Sequence, residues 1–216
     1  MDLDLATMFL TVAFAHFLAL LSPGPDFVLV VKSAMKNDRR KAIGVAAGIS
    51  SANALYIALC LFGVGAILAS SVKVMIALKI VGGLFLMYLA VQALRVRKSD
   101  YQDILLEIGK NKEANTTFFK EFSVGFMSGV LNPKNLLFYL SLFTVVLTND
   151  VSLTFKILLG AWMTLAVFFW DAAIVFLLST NKVRQQFTRL AYYIDKVTGA
   201  ILGLVGFSIV RSALSK

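Results

Sequence analysis

Leu21-Ser22-Pro23-Gly24-Pro25-Asp26-Phe27 interrupts an apolar run, from Leu5 to Val31, that is long enough to cross a bilayer. Two prolines around a glycine cannot continue a regular helix, because each proline removes a backbone donor and its ring crowds the preceding turn. In hydrocarbon an unpaired amide or carbonyl is so costly that irregular backbone survives only against protein or beside a wet cavity. Here the break closes with a carboxylate, Asp26. The first element is therefore a membrane helix that is broken, and charged at the break.

The remaining chain has the same character. Of 216 residues, 59% are hydrophobic and 15% charged, where a soluble domain has roughly 45–50% and 25%. That balance excludes an ordinary soluble domain and predicts an all-α, polytopic membrane protein. Six apolar runs are long enough to span: helix 1 as above, then about Ala42–Ala69, Val74–Leu94, Phe122–Leu147, Thr154–Ser179 and Ile194–Leu214. The longest loop, about 99–121, is polar and mixed in charge. The net charge of +9 does not point to nucleic acid, because the basic residues cluster in short loops between apolar runs. Fifteen Lys and Arg fall on one side of the six-helix arrangement and five on the other. The richer side is cytoplasmic, so both termini are expected outside. The N-terminal residues lack a basic n-region and a nearby cleavage site, so the first apolar run reads as a retained helix.

Two echoes join the halves. Lys79-Ile80-Val81-Gly82-Gly83-Leu84 resembles Lys196-Val197-Thr198-Gly199-Ala200-Ile201, and Pro23 corresponds loosely to Pro133 within Leu131-Asn132-Pro133-Lys134-Asn135. With three helices per half, the second half enters the membrane from the opposite side. The expectation is one transmembrane domain made of two inverted three-helix repeats, about 1–98 and about 122–216. Broken helices in corresponding places of such repeats point to a solute site.

Asp26, Lys134 and Asp171 fall inside apolar runs, where insertion costs roughly 2.5–3.5 kcal/mol per charge at a helix centre. Lipid-facing charges at that cost are not expected, so these three are candidates for a solute site or for structural pairing. Asp26 also admits a solvated position near the cytoplasmic end, six residues before Lys32. Asn53 and Tyr56 share a face of helix 2 and could line the same cavity or bond between helices. Gly44-x-x-x-Gly48, Gly125-x-x-x-Gly129 and Gly199-x-x-x-Gly203 read as close helix contacts. A homo-oligomer is compatible with these pairs but not required by them. His16, the single histidine, and Cys60, the single cysteine, supply neither a metal constellation nor a disulfide. No cofactor is expected, and no nucleophile–base pair suggests an enzyme.

Taken together, Ser22-Pro23-Gly24-Pro25-Asp26, Gly48-x-x-x-x-Asn53-x-x-Tyr56, Lys79-Ile80-Val81-Gly82-Gly83 and Gly125-x-x-x-Gly129-x-x-Asn132-Pro133-Lys134 resemble the LysE/RhtB family of bacterial amino-acid exporters over nearly the whole chain. The resemblance implies six helices in the bacterial inner membrane, with efflux of amino acids or close derivatives driven by the proton gradient. It places functional motif positions on Pro23, Gly24, Pro25, Asp26, Asn132, Pro133 and Lys134; Asn53, Tyr56 and Asp171 complete the candidate set. The partners expected are a small-molecule substrate, lipid and protons. The alternative is export of another small solute, such as a metal ion or an organic cation.

Overall fold

The computed structural model describes residues 5–22, 24–64, 72–97, 99, 116–146, 151–178 and 181–214. Among them the regular structure is helical, with no strand. Helix α1 is Leu5–Leu21, α2 Pro25–Lys36, α3 Arg39–Ala58, α4 Val72–Arg95, α5 Phe118–Leu131, α6 Pro133–Val146, α7 Leu153–Leu177 and α8 Asn181–Leu214. A π-helical turn, Leu59–Val64, continues α3. Segments Arg39–Gly63, Ile76–Arg95, Leu153–Leu177 and Tyr192–Leu214 are each long and apolar enough to cross a membrane. The pair α1 and α2, whose axes meet at 56°, counts as one more if it forms a single broken span.

Both breaks are built alike. Gly24 is extended (φ −137°, ψ −171°) and Pro25 opens α2; Asn132 is extended (φ −81°, ψ 105°) and Pro133 opens α6. The residue before a proline is driven out of the helical region, while proline itself suits the first helical position, where its missing N–H has no partner to lose. Pro25, rather than Pro23, is therefore the positional counterpart of Pro133. Pro23 itself lies outside the described residues.

Two corrections to the expected helices follow. The run expected as one helix over 122–147 is two, and it starts at Phe118, inside the anticipated loop, because Thr117 caps it by accepting from the Lys120 amide. The last helix begins at Asn181, not near Ile194, so the backbone of the anticipated basic loop continues the final span by several turns.

Small residues set how the helices approach. A Cβ on Gly48 would lie 2.1 Å from the Phe122 carbonyl oxygen, and one on Gly125 2.4 Å from that of Val45. The two glycine pairs expected to mediate close contacts thus face each other, and α3 and α5 run parallel, backbone to backbone. The α4–α8 seam is antiparallel: Gly199 meets Ala93, Gly203 meets Ala90, and Gly206 lies 2.6 Å (as Cβ) from the Gly83 oxygen. Helix α7 crosses the other face of α3, with Gly160 against Ile57 and Leu61. At the far end of α2, Ser33 Oγ donates to Glu121 Oε2 (2.6 Å) and Thr116 Oγ1 to Glu121 Oε1 (2.8 Å), fastening α2 to the start of α5. These seams hold the two breaks at the centre of the bundle.

Candidate functional site

The charged residue after each helix-opening proline reaches across to the other break. Asp26 Oδ1 accepts from Ser128 Oγ (2.6 Å), and its Oδ2 from Asn132 Nδ2 (2.9 Å) and Asn135 Nδ2 (2.7 Å). Lys134 Nζ donates to the Ser22 carbonyl at 2.7 Å and to that of Ala19 at 3.4 Å. The physical logic is that of helix ends. Lys134 sits at the carboxyl end of α1, where unpaired carbonyls carry the negative end of the helix dipole, and Asp26 sits in the first turn of α2, at the positive end. Hydrogen bonds to charged groups are worth about 1.5–3 kcal/mol each, more than neutral ones. Gly24 makes room: a Cβ there would come within 3.2 Å of Lys134 Nζ. Asn132 serves both sides of its break, since its amide bonds the Gly129 carbonyl (3.4 Å) and its Oδ1 accepts from the Lys134 amide (3.0 Å).

Between the breaks lies a cavity of ≈ 60 Å³, large enough to hold water. Gly24, Asp26, Asn53, Asn132, Lys134 and Asp171 line it, as do His16, Asn135, Phe138, Tyr139 and Trp170. Asp171 is buried, 6% exposed, yet among the described residues nothing donates a hydrogen bond to its carboxylate. It contrasts with Asp26, whose two oxygens take three donors. The cavity therefore presents one acid that is committed to structure and one that is open.

The candidates from sequence divide accordingly. Gly24, Asp26, Asn53, Asn132, Lys134 and Asp171 come together around one space, while Pro25 and Pro133 shape its edges by opening α2 and α6. Tyr56 stands apart from the lining. Its hydroxyl donates to the Val130 carbonyl, one of those freed where α5 ends, so it fastens α3 to that end. Asn53, one turn earlier, turns its amide to the Ile49 carbonyl (2.8 Å) at the cavity wall.

Four contributors were not anticipated. Ser128 and Asn135 are ordinary polar residues until Asp26 is brought to them. Tyr139 lies a turn beyond Asn135 on α6. His16 is 1% exposed, with Nε2 3.2 Å from the Met163 carbonyl. A lone histidine in an apolar run was the one available sign of it.

The LysE type translocator family model matches residues 17–213. The chain belongs to that family. Among relatives of this translocator, the threonine efflux protein of Salmonella typhimurium is 28% identical over 207 residues, covering 95% of this chain and 98% of its own. The threonine efflux protein of Escherichia coli K12 is 26% identical with the same coverage, and the uncharacterized membrane protein YrhP of Bacillus subtilis is 26% identical over 194 residues, 87% of this chain and 90% of its own. No solved structure matches it. The translocator is thus a membrane protein of several apolar helices, with two broken segments bonded to each other around a central cavity.

Proposed function

We propose that this translocator exports amino acids or closely related small metabolites across the bacterial inner membrane by exchange for protons, with both termini periplasmic. The observation that carries this reading is the pairing of an open carboxylate, Asp171, with two helix breaks cross-linked by Asp26 and Lys134 over one cavity. The names of relatives as threonine efflux proteins support the solute class.

A zwitterion suits the two ends of such a cavity. The solute's ammonium is placed at Asp171, to which no donor among the described residues gives a hydrogen bond. Its carboxylate is placed at the amino end of α2, where Gly24 brings no side-chain cap to the first-turn amides, and beside the Lys134 ammonium, two of whose three protons are already given to carbonyls. Asp171 carries a proton inward on the half-cycle in which no ammonium occupies it. The two inverted three-helix halves rock about this site, an arrangement supported by the antiparallel α4–α8 seam and the matching construction of the two breaks.

In proteoliposomes preloaded with amino acid, an inwardly directed proton gradient should accelerate release, and Asp171→Asn should remove that acceleration. A gradient response unchanged by the substitution would take the coupling role from Asp171. One observation favours a second reading: an open acid beside Trp170 and Phe138 also suits an organic cation. Competition by the decarboxylated amine as strongly as by the parent amino acid would favour that solute class.

A further inference from the structure

His16 is a buried polar group that the exchange mechanism leaves unused. Its Nε2 faces the Met163 carbonyl at 3.2 Å, which fixes the proton on that nitrogen, because a carbonyl can only accept. Nδ1 is then a bare acceptor. It is buried and has no partner among the described residues. The ring lines the same cavity as Asp171 and lies among three aromatics, with centroids 6.3 Å from Phe138, 5.9 Å from Tyr139 and 6.0 Å from Trp162. Those neighbours hold the ring in place at the cavity wall. An acceptor without a donor in such surroundings is costly, and the cost is relieved by whatever occupant supplies one.

We propose that His16 is a specificity-determining residue: Nδ1 accepts a hydrogen bond from a neutral donor on the solute's side chain. The inference rests on the amino-acid reading above and sharpens it. Asp171 takes the charged ammonium common to all amino acids, whereas His16 distinguishes their side chains. An apolar wall alone discriminates poorly between shapes that match, but a site with a waiting acceptor rejects the analogue that lacks the donor. The cavity therefore favours a hydroxylated small amino acid over an apolar one of equal shape.

Threonine and valine form such a pair, and so do serine and 2-aminobutyrate. Purified protein in liposomes, assayed by competition between the members of each pair, should favour the hydroxylated one by roughly tenfold. His16→Gln can still reach the Met163 carbonyl but places no acceptor where Nδ1 was, so the preference should fall to near unity. His16→Asn puts an amide oxygen near the Nδ1 position and should retain part of the preference. Size-exclusion profiles of both variants check that they fold. Equal transport of threonine and valine by the unaltered protein, or a preference that survives His16→Gln in folded protein, overturns the role of His16 and leaves the exporter reading standing. Absence of transport for every amino acid tested overturns both.

Discussion

Replacing Asp26 by asparagine tests whether the two breaks are held together as described. The substitution is nearly isosteric. The remaining side-chain oxygen can keep Ser128, but the new amide nitrogen meets two other donors, Asn132 Nδ2 and Asn135 Nδ2, now 2.9 and 2.7 Å from the Oδ2 position. Two charge-assisted bonds at about 1.5–3 kcal/mol each give a gross loss of ~3–6 kcal/mol. Asn135 still has the Gly129 carbonyl at 3.2 Å, and an amide is less costly than a carboxylate to keep from water. The net loss is therefore near the bottom of that range, about 3 kcal/mol. Asn135→Asp alone should be at least as damaging, because it sets two carboxylates against each other. The double variant exchanges acceptor and donor and should recover about 1–3 kcal/mol relative to the sum of the single changes. Thermal unfolding in detergent, followed by fluorescence-detected size exclusion, measures all four proteins, with amino-acid release from liposomes as the functional readout. If Asp26→Asn melts like the unaltered protein, or if the double variant shows no coupling, the bridge does not hold the breaks together.

Two further outcomes follow from the geometry. Gly48→Ala should sharply reduce folded protein, since the new methyl would meet the immovable Phe122 carbonyl and Phe126 amide, whereas Gly63→Ala, with nothing within 4 Å among the described residues, should leave the yield unchanged; both are read by size exclusion. Lys134→Met keeps most of the side-chain volume but uncaps the Ser22 and Ala19 carbonyls, and should cost about 2–4 kcal/mol in unfolding stability as well as transport; an unchanged melting profile would show that those carbonyls need no cation.

The glycine seams were legible because they depend on spacing along a single helix: Gly44 and Gly48, like Gly125 and Gly129, must fall on one face. Their pairing with each other was not, since any small-residue stripe could have met any other. Tyr56 and Asn53 make the same point at finer scale. Helical spacing puts them on one face, yet Asn53 reaches the cavity and Tyr56 the end of α5.

What the sequence determined alone is local and covalent in origin. Several apolar runs are long enough to cross a membrane as helices, and Gly24-Pro25 and Asn132-Pro133 must interrupt the helices they fall in, because proline lacks the N–H a continuing helix needs and restricts the residue before it. What only the tertiary structure decided is which freed groups meet. Asp26 and Asn135 are 109 positions apart, Lys134 and Ser22 112, and no local preference encodes such pairs. Their meeting is fixed by the depth to which α3 and α5 sink into each other at residues without side chains. That close approach brings one break against the other, so a carboxylate and an ammonium each complete the end of a helix to which they do not belong.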